Sequence, residues 1–161
     1  MYKDLKYQLS QEVDEELFCF YCQQTQYNSL LGCQIDFQYV KDDRQIPKGF
    51  SQENHYCYKI YDDQMIGYID ILKGYRYSMI HDDHYLWIGL FMIHQDYHRQ
   101  KYGHYIISQL KEKWKNDIHV IQLGCLAHNE RGLSFWKNEG FVEIAQSQKE
   151  GYCIIVLEYQ F

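Results

Sequence analysis

Leu86-Trp87-Ile88-Gly89-Leu90-Phe91-Met92-Ile93 is the longest apolar run in the chain, eight residues, and it is followed by His94-Gln95-Asp96-Tyr97-His98-Arg99-Gln100-Lys101-Tyr102 and then Gly103. A continuous apolar run of this length reads as a buried strand, and Tyr85 to Ile93 is that strand. It is far short of the roughly 20 residues that a membrane helix needs. From Gly103 to Lys115 the spacing is helical. Ile106, Ile107, Leu110 and Trp114 fall on one face, while Lys111, Lys113 and Lys115 lie mainly elsewhere. The unit is therefore strand, turn, helix. A helix start leaves N–H groups unpaired and carries partial positive charge, so such a turn can cradle a pyrophosphate. Arg99, Lys101 and His104 surround it with positive or protonatable groups, and Gly103 lets backbone approach an anion closely. His94, His98 and His104 fit this anion turn better than a zinc site. The competing phosphate loops, GxxxxGK[ST] and GxGxxG, are absent.

Outward from this unit, Lys6 to Leu9 reads as a short strand. Ser10 is suited to cap a helix beginning near Gln11, with Glu12, Asp14, Glu15 and Glu16 at its positive end. A second helix is expected around Ser29 to Tyr39, then a loop through Asp42, Asp43, Pro47 and Gly49. Tyr56 to Tyr61 and Ile66 to Leu72 are β-rich runs around Asp62-Asp63-Gln64, which reads as a hairpin. Gly74 to His84 is polar and reads as a loop or strand extension. Ile118 to Cys125 is a further strand. Asn129 can cap a short helix through Asn138 that Gly140 stops in a left-handed conformation. Phe141 to Gln146 and Tyr152 to Tyr159 close the chain as two strands with a turn near Glu150-Gly151. The order β-α-α-β-β-β-α-β-α-β-β predicts a mixed α/β fold with one crossover helix between the two central strands.

Some thirty residues after the turn stands a second unit, Ala127-His128-Asn129-Glu130-Arg131-Gly132-Leu133-Ser134-Phe135-Trp136, continuing to Gly140-Phe141. With it the chain resembles the GCN5-related N-acetyltransferase (GNAT) family. That family has a pyrophosphate turn of the form Q/R-x-x-G-x-G/A and then N-x-x-A-x-x-F-Y-x-x-x-G-F. Here the first motif reads His98-Arg99-Gln100-Lys101-Tyr102-Gly103, and the second reads Asn129, Gly132, Phe135, Trp136, Gly140 and Phe141. The resemblance covers roughly Tyr56 to Tyr159. It implies an acyl-CoA N-acyltransferase fold with splayed central strands and acetyl-CoA as co-substrate. By position, Phe91, Met92 and Ile93 would hydrogen-bond the pantetheine arm through main chain. His98, Arg99, Gln100, Lys101, Tyr102, Gly103 and His104 would hold the pyrophosphate. Asn129 would touch the pantetheine or cap its helix, and Phe135 and Trp136 would flank the thioester. A backbone N–H near Leu90 or Phe91 would act as oxyanion donor.

Three departures bear on catalysis. Lys101 stands at the family's first glycine. Trp136 stands where many members carry a tyrosine that protonates the leaving thiolate. Gly124 stands where some members carry a glutamate base. An indole N–H does not give up its proton near neutral pH, so Trp136 is expected to pack beside the thioester, with a proton for the thiolate coming from water, Tyr102 or Cys125.

The 161 residues fit one domain spanning the whole chain, and a net charge of −6 argues against nucleic acid as a partner. Met1-Tyr2-Lys3-Asp4 has no apolar h-region, so neither a signal peptide nor a membrane partner is expected, and a cytoplasmic protein with reduced thiols is. The six cysteines form no zinc framework. Cys19 and Cys22 are expected to be buried thiols on an apolar helix, and His81-Asp82-Asp83-His84 an exposed loop and not a metal site. No metal is expected. The reading is an amine N-acetyltransferase, monomer or homodimer, acting on a small molecule or on a peptide or protein. The alternative is a non-catalytic CoA-binding or sensing domain on the same fold.

Overall fold

A computed structural model of the chain describes residues 4–78 and 80–161. The reading of the extreme N-terminus, Met1 to Lys3, lies outside them. Along the described residues run β1 (Lys6–Leu9), α1 (Glu15–Gln23), α2 (Thr25–Leu31), α3 (Phe37–Asp43), β2 (His55–Asp62), β3 (Gln64–Lys73), β4 (Tyr85–Ile93), α4 (Tyr102–Trp114), β5 (Val120–Leu126), α5 (Glu130–Asn138), β6 (Val142–Lys149) and β7 (Tyr152–Gln160). The seven strands form one mixed sheet in the order β1-β2-β3-β4-β5-β7-β6. No helix among the described residues is long and apolar enough to cross a membrane. The chain divides into two compact units. One takes the chain to Ile71 together with Leu90–Tyr102, and the other comprises Leu72–Gly89 and Gly103–Phe161.

In the first unit β1 and β2 pair antiparallel from Lys6↔Tyr61 to Leu9↔Tyr58. Ser10 extends this ladder, its N–H donating to the Cys57 carbonyl. That is why Ser10 does not cap the first helix, contrary to expectation: its backbone is held by β2. Asp14 caps instead, accepting from the Leu17 N–H at 2.9 Å. Helix α1 buries Leu17, Phe20 and Tyr21. At about 100° per residue these share one side, and Cys19 and Cys22 fall on the other, where both are exposed. The expectation of two buried thiols is thus overturned by the helix's own periodicity. The single helix expected over Ser29 to Tyr39 is two. Gly32, at φ 64°, ends α2 in the left-handed conformation, and Asp36 caps α3 by accepting from the Tyr39 N–H. Leu17, Phe20, Tyr21, Val40, Cys57, Tyr68 and Met92 form the buried cluster of this unit, with Leu90 packed against it.

In the second unit β4 and β5 run parallel, from Tyr85↔Val120 to Ile88↔Leu123, so the chain makes the expected crossover through α4. That helix buries Ile106, Ile107, Leu110 and Trp114, the four residues that its spacing selects. Strand β5 pairs antiparallel with β7, and β7 with β6. Glu150 and Gly151 both have positive φ, 51° and 83°, the conformation that a tight hairpin turn needs. Gly140, at φ 92°, ends the segment after α5 as expected.

Candidate functional site

The loop between β4 and α4 is fastened from several sides. Its Gln95 N–H donates to the Gln24 side-chain oxygen at 3.1 Å, and buried Gln24 is itself held by the Phe20 carbonyl at 2.9 Å. The Thr25 hydroxyl reaches the Gln95 amide oxygen at 3.2 Å. His98 turns back so that its Nε2 lies 2.7 Å from the Ile93 carbonyl oxygen. The Gln100 side chain donates to the Asp96 carbonyl at 2.9 Å. The Tyr102 hydroxyl donates to Asp62 at the tip of the β2–β3 hairpin, and Tyr97 accepts from Gln64 on the same hairpin. Tyr97 and Tyr102 meet edge to face with centroids 5.6 Å apart. Sequence reasoning missed Gln24 and Gln95, because a glutamine far along the chain carries no local signal of its partner.

Within this frame Arg99 and Lys101 are exposed, and both have left-handed backbones, φ 61° and 64°. For L-residues this conformation is unfavourable by about 1–2 kcal/mol each. A left-handed residue alternating with ordinary ones is the backbone pattern of an anion-binding nest, and here it leads directly into the start of α4. Lys101 thus holds, with a side chain, a conformation that glycine adopts most readily. Gly103 is the second residue of α4 and has no positive φ. His104 lies 2.9 Å from Glu139, whose side chain is nearly buried.

In the second unit Asn129 caps α5, its side-chain oxygen accepting from the Gly132 N–H at 3.0 Å. A Cβ on Gly132 would come within 2.5 Å of that side chain, so glycine and cap are matched. Trp136 is buried and meets Phe135 and Phe141 edge to face, centroids 4.9 and 5.1 Å apart. Cys125 is buried, and burial pushes its thiol up to about 11. It therefore keeps its proton at neutral pH. Gly124 is exposed on β5. Between β3 and β4, His81 pairs with Asp83 and His84 with Asp82.

The first unit also holds a polar group that the sequence reading did not collect. His55 Nε2 lies 2.7 Å from Asp70 Oδ1 and 3.2 Å from Cys57 Sγ. Burial pulls the imidazole down, but its bonds to Asp70 and Cys57 outweigh this and raise it to about 10. The available signal was a charge inside an apolar strand, Ile69-Asp70-Ile71, facing a His-x-Cys alternation on the strand before it.

A sequence model described as the acetyltransferase (GNAT) family matches residues 13–141. The chain belongs to that family. Among curated proteins none matches it. Solved structures agree on the fold. A Bacillus subtilis acetyltransferase in complex with CoA is 15% identical, with 98% of this chain and 99% of that one covered at a TM-score of 0.63. The ribosomal-protein-S18-alanine N-acetyltransferase of Escherichia coli is 12% identical, with 96% and 94% covered at 0.64. The aminoglycoside acetyltransferase AAC(6')-Ib in complex with coenzyme A is 15% identical, with 98% and 95% covered at 0.71.

Proposed function

We propose that this GNAT-family chain is an N-acetyltransferase that moves an acetyl group from acetyl-CoA directly to an amine. The observation that carries the reading is the fastened loop that runs through left-handed Arg99 and Lys101 into α4, and the reading assigns this loop to the family's pyrophosphate turn. In this reading the Arg99 to His104 segment takes the pyrophosphate, with His98 holding the loop against Ile93. The main chain of Phe91, Met92 and Ile93 takes the pantetheine arm. The assignment of Asn129, Phe135 and Trp136 to the cofactor rests on their place in the family motif alone.

The amine nitrogen attacks the thioester carbonyl carbon, the C–S bond breaks, and CoA leaves as a thiolate that takes up a proton. A backbone N–H at Leu90 or Phe91 steadies the oxyanion in passing, a contribution worth about 10²–10³ in rate where such a donor has been removed. Trp136 packs and does not donate a proton. Tyr102, whose hydroxyl is bonded to Asp62, and protonated Cys125 are the side chains proposed to supply one beside water. Direct transfer asks chiefly for positioning, which supports an enzyme over a CoA sensor despite the absent tyrosine and glutamate.

The test has two stages. Calorimetry with CoA and acetyl-CoA should show one site per chain. Thiol release should then appear with acetyl-CoA and some member of an amine panel of polyamines, aminoglycosides and N-terminal peptides. Binding without any acyl transfer would replace this reading with the sensing domain. Loss of both would overturn the cofactor assignment itself.

A further inference from the structure

We propose that His55, Cys57 and Asp70 form a binding site for one zinc-like divalent ion, with the Tyr68 hydroxyl beside its open coordination position. Nothing in the transfer chemistry above uses this group.

The three side chains offer one nitrogen, one sulfur and one oxygen, all within 4.8 Å of one another. Strand geometry brings them together. His55 and Cys57 are two apart on β2, so they share a face, and Asp70 comes from β3. The site is enclosed: the His55 and Asp70 side chains are 7% and 10% exposed, and Cys57 is 2% exposed. Four-coordinate zinc with these ligands requires about 3.4 Å between nitrogen and oxygen and about 3.6 Å between nitrogen and sulfur, from bond lengths near 2.1 and 2.3 Å. The observed separations are 2.7 and 3.2 Å. At these two edges the ion asks for outward shifts of under an ångström, and the sulfur and the carboxylate oxygen lie within the 4.8 Å span of the group; the ion would take the place of the hydrogen atoms now held between the ligands.

Tyr68 is the independent pointer. Its residue is fully buried, and its hydroxyl faces the Cys57 thiol, a weak hydrogen-bond partner, with no stronger one in reach. A buried hydroxyl left with so weak a partner is unfavourable. A metal ion, or a water bound to it, would give that oxygen a stronger partner.

Arg44 acts against a second cation here, because its guanidinium interacts with Cys57 and lies 5.9 Å from the Tyr68 ring centre. The opposition is bounded. A thiolate and a carboxylate cancel a divalent charge, and a guanidinium N–H can donate to a metal-bound sulfur as an outer-shell partner. The ligand set also chooses the ion. Thiolate and imidazole favour zinc or cobalt, whereas magnesium and calcium require oxygen donors.

The experiment uses the full chain with Cys19, Cys22 and Cys33 changed to serine, which removes the exposed thiols. Co²⁺ is added to the folded protein and, separately, through a cycle of unfolding and refolding, so that enclosure cannot hide the site. The expected result is one equivalent of Co²⁺ with a thiolate-to-cobalt charge-transfer band and d–d bands of four-coordinate intensity. Zn²⁺ should displace it, and Mg²⁺ or Ca²⁺ should not. Cys57→Ala should abolish the charge-transfer band. Asp70→Asn, which keeps the size of the side chain, should weaken Co²⁺ binding by more than about 10-fold, in keeping with the sensitivity of metal sites to their ligands. Circular dichroism checks that each variant is folded. Absence of the band in both preparations, a band that survives Cys57→Ala, or an affinity unchanged in Asp70→Asn would each overturn the site.

Discussion

Replacing Lys101 by glycine separates backbone strain from charge at the anion loop. Lys101 sits at φ 64°, which an L-residue adopts at an expense of about 1–2 kcal/mol. Glycine removes that strain but loses about 0.5–1 kcal/mol more backbone entropy on folding. The difference is a stabilisation of up to about 1.5 kcal/mol, or a Tm rise of up to about 6 °C for a chain of this size. Lys101→Ala keeps the Cβ and the strain, so its stability should stay within about 0.5 kcal/mol of the parent. Both variants lose the same exposed cation. At about 0.5–1 kcal/mol for an exposed ion pair, both should bind CoA about 2–5-fold more weakly, and the deficit should shrink as salt is raised. Thermal melts and calorimetry at two ionic strengths read the two effects independently. A glycine variant that melts lower than the parent, or an alanine variant that gains as much as glycine, would refute the strain argument. CoA affinity unchanged in both would remove Lys101 from the phosphate site.

Three further outcomes are expected. Gly103→Glu puts a side chain and a like charge at the start of α4, and calorimetry should show CoA binding lost while the fold is kept; binding as tight as the parent's would move the pyrophosphate elsewhere. Trp136→Phe keeps an aromatic body against Phe135 and Phe141 and should lower kcat only a few-fold; a loss of several hundred-fold with CoA affinity intact would make the indole N–H essential. Acid should weaken the first unit through the buried Lys59 ammonium, which is bonded to Asp14 and Glu16. Burial raises Asp14, but Lys59 and the Leu17 N–H outweigh it, and the Tyr61 hydroxyl and Lys59 lower Glu16. Both carboxyls are thus depressed in the folded state, so their contribution is full above the unfolded values near 4 and fades as pH falls through the lower folded ones. Urea melts stepped down through this range should show the loss, and Asp14→Asn should flatten part of it; an unchanged slope in that variant would mean the pair carries no such linkage.

The strand, turn and helix at the centre of the fold were legible because their signals are local. The apolar run of β4, the one-sided stripe of α4, the Asn129 cap and the Glu150-Gly151 turn each depend on neighbours a few residues away, and all appear where periodicity puts them. The family motifs were legible for the same reason: they are short spacings across a loop and one helix. The N-terminal third was not. There Ser10 and Asp14 both suit a cap, and the choice fell to a long-range ladder that holds Ser10 to Cys57 and to the Lys59 ammonium that draws in Asp14. The face that Cys19 and Cys22 occupy was decided by which side of α1 found a core to cover. Only the tertiary structure joined Gln24 to Gln95 and Tyr102 to Asp62, because side-chain hydrogen bonds between distant residues leave no periodic trace. The same holds for His55, Cys57 and Asp70. The alternation of β2 determines that the first two share a face, but only the tertiary structure brings in the Asp70 carboxylate and buries Cys57 in the cluster with Leu17, Val40 and Met92, so that three ordinary polar residues become one enclosed group.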